Sequence, residues 1–204
     1  MPLSASHIKF ALDLKDYFKP KDLKKYFEGA IYPDSRYLSG INREKTHSED
    51  FWLKSFWHND DFKKGWASHN ISDRAYVNGI RKIFPSWIDL NDENVKIENA
   101  AVKIIGDISL LDDEVLQVIK SIDRVSGMNE EKEEVMAEHF ETIKNCYKNG
   151  RETKISDYID TMRKSVGKEV IEKAELLNKD KKLSSVIKNF FKEGVKKEIN
   201  KLLK

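Results

Sequence analysis

The chain has 204 residues, 39% hydrophobic and 35% charged, with a formal net charge of +2. That is enough apolar material for one large domain, or one domain with an appendage, and the near-neutral balance carries no nucleic-acid signature. A single cysteine, Cys146, excludes an internal disulfide and a cysteine-based zinc cluster and fits a reducing compartment.

The opening stretch MPLSASHIKFALDLKDYF is interrupted by Lys9, Asp13 and Lys15, so it holds no apolar run of signal-peptide length. No segment has the apolar length of a membrane span. The expectation is a soluble, cytoplasmic protein. Ser4 or Ser6 is placed to cap a first helix running to Lys19, with Ala11, Leu14 and Phe18 on the same face as His7. Pro20 suits the first turn of a second helix, which Gly29 is expected to end. The stretch IYPDSRYLSGINREKTH has no clean period and reads as a loop of functional length. A helix is expected from Thr46 to Trp57, capped by Thr46 or Ser48. Asn59 is placed to cap the next, which runs to about Phe84 before Pro85 stops it. Trp66, His69, Asp73 and Val77 form one stripe of that helix.

Further on, NDENVKIENAAVKIIGDISLL and the stretch from Asp112 to about Val125 read as helices, with Gly127 as a break. MNEEKEEVMAEHFETIKNCYKNG is an acidic-fronted helix ending at Asn149-Gly150. Ile155 to Asn178 and Leu183 to Leu203 complete the series. No strand alternation and no fixed repeat is present. The reading is all-α, a compact bundle of eight or nine helices. Residues 1–110 hold most of the aromatic and histidine content and are expected to form a metal-binding core. Residues 111–204 form a Lys- and Glu-rich helical extension packing on it.

Four of the five histidines, His7, His47, His58 and His69, lie in the first 69 residues; the fifth is His139. Taken singly, the candidates have ordinary readings. His7 covers a helix N-terminus, Asp34 is a turn or cap residue after Pro33, and His47 sits in a capping region. His69 with Asp73 is an i, i+4 polar pair worth about 0.2–0.5 kcal/mol on a solvated helix. Trp66, Ala67, Ala75, Tyr76 and Val77 around that pair point instead to a buried helix, where such a pair needs partners. Jointly, three imidazoles and two carboxylates from several elements make the donor set of a divalent metal. Zinc suits it, and iron, manganese and nickel also fit.

The order of His7, then GAIYPD, then TH, then GWASHNISD resembles the zinc-dependent phospholipase C family and its relatives, the fungal single-strand nucleases. The resemblance covers roughly residues 5 to 80. It implies an all-α fold and metal ligation through His7, Asp34, His47, His69 and Asp73. Classical members hold three metal ions, one using the amino group of an N-terminal Trp and another an H-x-x-x-E helix. This chain starts MPLSAS, and His139 is followed by Thr142 and Ile143, so neither feature is present. Glu98 and Asp107 are weak replacements. The resemblance therefore implies one metal held by Asp34, His47, His69 and Asp73, with His7 joining it or holding a second ion with Asp73. HD-type phosphohydrolases are a more distant likeness, because their adjacent His-Asp dipeptide is missing.

A bound divalent ion with an open position activates water and polarises a phosphoryl oxygen. The function expected is hydrolysis of a phosphoric ester: a phospholipid, a nucleotide or a small phosphoester. Asp34 serves as ligand or as the base that takes the water's proton. Arg36, Arg43, Lys45 and Arg74 are candidates for holding phosphate, with Arg43 favoured because NREKTH delivers it beside His47. Tyr32, Tyr37 and Trp66 are candidates for the pocket wall or the core. The C-terminal helix carries Leu183, Ile187, Phe190, Phe191, Val195, Ile199 and Leu202 on one side and mostly Lys on the other. Its stripe is expected to pack into its own domain or a homodimer partner, ahead of peripheral membrane contact. The competing reading is a non-catalytic helical interaction module that keeps a degenerate structural metal site.

Overall fold

A computed structural model describes residues 3–87, 92–122, 128–161 and 166–204. Among these residues the chain is helical, with no strand. In order, the α-helical segments are α1 Ser4–Phe18, α2 Leu23–Ile31, α3 Arg36–Ser39, α4 Glu44–His47, α5 Lys54–Trp57, α6 Asp61–Ile83, α7 Glu93–Ser109, α8 Asp113–Ser121, α9 Glu133–Cys146, α10 Gly167–Lys179, α11 Lys181–Asn189 and α12 Val195–Leu202. A π-helical turn, Phe190–Gly194, joins the last two into one continuous helix. That makes eleven helices among the described residues rather than eight or nine. The excess comes from one-turn helices between residues 36 and 57, where the sequence reads as a loop followed by one helix. Ser48 and Leu53 take extended backbone angles there and divide the stretch into α4, a 3-10 turn at Glu49–Trp52, and α5.

Several element ends differ from expectation for local reasons. No side chain caps α1; its N-cap position is Leu3, while Ser6 turns elsewhere. Asp22 and Asp60, not Pro20 and Asn59, start α2 and α6, each accepting the N–H of the residue three further on. Ile155–Thr161 is a 3-10 helix rather than the first turns of α10. The expected end at Val125 and break at Gly127 lie outside the described residues.

The packing of α2 on α6 places two of the candidate ligands. Gly29 does not stop α2, which continues to Ile31. A Cβ at Gly29 would lie 1.9 Å from the Phe62 carbonyl oxygen, and one at Gly65 would lie 1.8 Å from that of Tyr26. The two glycines let the backbones of α2 and α6 touch, as no other residue type would allow. The end of α2 and the 3-10 turn Tyr32–Ser35, which carries Asp34, are thereby held against the middle of α6, which carries His69 and Asp73.

The residues after 110 cover the rest of the core. Helix α10 packs on α7, and α12 on α6. Ile187, Phe190, Phe191, Val195 and Ile199 of the C-terminal helix are buried. A Cβ at Gly79 would lie 2.5 Å from the Phe190 ring, and one at Gly106 2.2 Å from the Phe191 ring. The π turn brings both rings onto one side of the helix, where they flank Tyr76. The apolar stripe is thus taken up inside the fold, while Lys192, Lys196, Lys197 and Lys201 between its members are exposed. No described helix is long and apolar enough to cross a membrane.

Candidate metal centre

His7, Asp34, His47, His69 and Asp73 come from α1, the 3-10 turn, α4 and α6, and their side chains converge on one point. Nε2 of His7 lies 3.7 Å from Asp34 Oδ2 and 3.7 Å from Asp73 Oδ1. Nε2 of His47 lies 3.6 Å from Asp73 Oδ2, and Nε2 of His69 lies 3.8 Å from the same oxygen. The Nε2 atoms of His47 and His69 are 3.2 Å apart. The His7 and His69 rings stack with centroids 3.7 Å apart, and His47 meets His69 edge-on. Two ligand groupings, His7–Asp34–His69 and His47–His69–Asp73, both satisfy the spacing for a shared ion. Both use His69 Nε2, whose one lone pair serves one ion, so they describe a single centre.

The tautomers follow from what the other ring nitrogens touch. His69 Nδ1 is 2.8 Å from the Ala30 carbonyl oxygen. Only an N–H approaches a carbonyl in this way, so Nδ1 carries the proton and Nε2 is a bare lone pair. The Ser72 hydroxyl donates to the His69 carbonyl at 2.8 Å, so at 3.1 Å it accepts from Nδ1 of His7. The Thr46 hydroxyl donates to the Arg43 carbonyl and accepts from Nδ1 of His47 at 2.7 Å. All three imidazoles are therefore oriented by an Nδ1–H donated away from the centre, and all three present Nε2 lone pairs to it. This is the arrangement by which proteins aim histidines at a metal.

With both rings in the Nδ1–H form, the two Nε2 atoms 3.2 Å apart face each other as lone pairs, an arrangement that a cation between them would stabilise. Zinc–nitrogen bonds of about 2.0–2.1 Å in tetrahedral or octahedral array hold their nitrogens on the order of 3 Å apart. The donor set and its spacing fit a divalent ion. The charge state agrees. Burial, with the neighbouring His69, pushes the His7 and His47 imidazoles down to about 3, so both are neutral at neutral pH. Burial pushes the carboxyls of Asp34 and Asp73 up, but surrounding positive charge outweighs it. For Asp73 that charge includes the imidazoles and Lys103, and both acids are held well below the usual carboxylate range. The two carboxylates make the centre electron-rich. Asp73, with its side chain 26% exposed, is its open edge, while His69 is fully enclosed.

Neighbouring residues fix the ligand-bearing segments. The Thr46 carbonyl accepts from Trp66 Nε1 at 2.6 Å and Asn70 Nδ2 at 3.2 Å, which ties α4 and His47 to α6. Trp66 is therefore a structural residue. So is Tyr32, whose buried hydroxyl donates to Glu131 and accepts from Asn129. Asp107 is fully buried on α7. It accepts from the Ser6 N–H at 2.7 Å, the Ser6 hydroxyl at 2.6 Å, and the hydroxyls of Tyr147 and Tyr158 at 2.6 and 2.7 Å. Tyr147 in turn accepts from the Ala5 N–H. Asp107 and Tyr147 thus cap α1 from outside and hold the turn that carries His7; Asp107 is no replacement ligand. Glu98 binds Trp87 and Lys173, and His139 contacts the Ile31 carbonyl, so neither reaches the centre. His58 is exposed at the end of α5.

The four cationic candidates separate. Arg36 follows Asp34 closely and lines a cleft of about 330 Å³ with Tyr37, Glu93, Lys96, Asn99 and Lys103, among others. Arg43 is exposed, within electrostatic reach of His47 and Tyr37. Lys45 is exposed at the surface of α4. Arg74 points away, pairing with Glu49 at 3.5 Å and stacking over Trp52. Lys103 was not visible as a candidate in the sequence. It lies mid-helix in α7, about thirty positions past the last candidate ligand, and its charge acts on both His7 and Asp73. Comparison of the chain with protein-family models, curated proteins and solved structures finds no match.

Proposed function

We propose that this protein is a metal-dependent hydrolase of phosphoric esters. One observation carries the reading: three buried imidazoles, each with Nδ1–H donated outward, present bare Nε2 atoms to two ionised carboxylates. The likeness of GAIYPD and GWASHNISD to the zinc-dependent phospholipase C family supports the same chemistry. Zinc is the ion the donor set favours. When bound, it would supply Lewis acidity and make water nucleophilic near neutral pH.

In this reading His47, His69 and Asp73 are ligands, and His7 completes the set beside Asp34 and Asp73. The Ala30 carbonyl, Ser72 and Thr46 hold the rings in their ligating orientation. Asp34, buried and ionised, takes the proton of the attacking water. Arg36, two residues after Asp34, and Lys103, whose charge acts on His7 and Asp73, line the adjoining cleft and would hold an anionic group of the substrate beyond the reacting phosphoryl. The open edge at Asp73 and this cleft favour catalysis over a purely structural site, which would enclose its ion completely.

The test is turnover of bis(p-nitrophenyl) phosphate and p-nitrophenyl phosphate by zinc-loaded protein. Turnover of either is expected, and Asp34→Asn should reduce it at least a hundredfold while zinc stays bound. Zinc bound tightly with turnover of neither ester would instead favour an interaction module with a structural ion.

A further inference from the structure

The cleft beside the centre has a composition of its own. Its walls come from three places: Arg36 and Tyr37 after the 3-10 turn, the α7 face that includes Ile97 and Lys103, and Val166 with Val170 at the start of α10. Lys96 pairs with Glu93 at 3.7 Å, so these two charges largely answer each other. Arg36 and Lys103 are different. Among the described residues neither is in an ion pair, and the Nε of Arg36 is buried with no hydrogen-bond partner. The Arg36 guanidinium lies 4.1 Å over the Tyr37 ring, and the Lys103 ammonium 4.9 Å from the Tyr76 ring. Both cations are thus fixed against aromatic faces, with their hydrogen-bonding capacity unspent. A buried guanidinium N–H without an acceptor is costly, and a ligand oxygen would satisfy it.

Ile97, Ala100, Val166 and Val170 form an apolar wall in the same cleft. Its volume is near the lower limit for small-molecule sites, too small for a polymer or a pair of acyl chains. We infer that the cleft binds the non-reacting end of a small substrate, an organic anion with a compact apolar body, through Arg36 and Lys103. This rests on the hydrolase reading and narrows it: the substrate carries a phosphate or carboxylate beyond the reacting group, rather than a quaternary ammonium headgroup.

Phenylphosphonate is a suitable probe, being a non-hydrolysable dianion on one apolar ring, with choline as the cationic contrast. Calorimetric titrations are made on the whole chain, both zinc-loaded and chelator-treated, so that the cleft and the ion are read separately. Phenylphosphonate is expected to bind both forms and choline neither. Arg36→Met should weaken phenylphosphonate binding at least tenfold and Lys103→Met at least threefold in both forms. Arg36→Lys, which keeps charge but not the fork, should fall between wild type and Arg36→Met and guards against misfolding of the methionine variant. Wild-type affinity in both methionine variants, or choline binding as well as phenylphosphonate, would overturn the inference. If chelator-treated protein binds phenylphosphonate with the predicted losses but zinc does not bind at all, the anion site stands and the hydrolase reading fails.

Discussion

Ser6 and His7 are neighbours on α1, and their side chains enter two buried polar clusters of opposite character. Ser6 joins Asp107, Tyr147 and Tyr158, where one carboxylate receives four hydrogen bonds from the chain itself. His7 joins Asp34, His47, His69 and Asp73, where every proton the rings carry is donated outward and only acceptors face inward. Both lie in the interior, the second opening at Asp73; what differs is who supplies the donors. A cluster satisfied by the protein is architecture. A cluster of acceptors left facing one another is a site that a cation completes.

The largest effect should come from breaking the satisfied cluster. Asp107→Ala leaves two tyrosine hydroxyls and the Ser6 N–H without their shared acceptor in the interior. Unfolding titrations should show a loss of about 3 kcal/mol or more. The fraction that still folds should bind zinc, because no ligand has been removed. Next, His69→Ala should lower zinc affinity at least a hundredfold, about 2.7 kcal/mol. It should also abolish the rise in melting temperature on adding zinc. A variant that keeps wild-type zinc affinity would place the ion elsewhere.

Acid should also separate the clusters. The unfolded chain protonates histidine near 6.5, whereas His7 and His47 in the fold are pushed down to about 3. Between these values the unfolded state binds more protons. Stability of the metal-free protein should therefore be full above pH 6.5 and fall as pH drops toward 3, by up to about 1.4 kcal/mol per pH unit for each imidazole. Asp34 and Asp73, also depressed, should add to the loss only below about pH 4. Denaturation of chelator-treated protein across pH 7 to 4 checks the slope, and a flat profile would mean that the imidazoles are charged or exposed. The smallest effect belongs to Arg74→Ala. Its ion pair with Glu49 is on the surface, so stability should change by less than about 0.5 kcal/mol and zinc affinity not at all.

The five candidate ligands were legible in the sequence as a set because a divalent ion would demand these residue types, and the structure brings their side chains together. His69 and Asp73 sit one turn apart on α6, and GAIYPD and TH supply Asp34 and His47. The helical class was equally plain from periodicity. What the sequence hides are contacts between distant backbones. Gly29 reads locally as a helix stop, and only the approach of Phe62 to it shows why glycine stands inside α2. Thr46–Trp57 has helical composition, yet Ser48 and Leu53 break it so that α4 can dock under Trp66. Lys103 and Asp107 look like any polar residues of an amphipathic helix. Their roles arise from what the fold sets against α7.

The central claim is that three bare imidazole nitrogens and two carboxylates require a cation. The most direct measurement is a calorimetric zinc titration of chelator-treated protein at pH 7, with bound metal counted by elemental analysis. The account predicts saturable uptake of at least one equivalent at sub-micromolar concentration, with little proton release from His7 and His47, which are already neutral. Absence of saturable binding by zinc, iron, manganese or nickel at micromolar protein would contradict it.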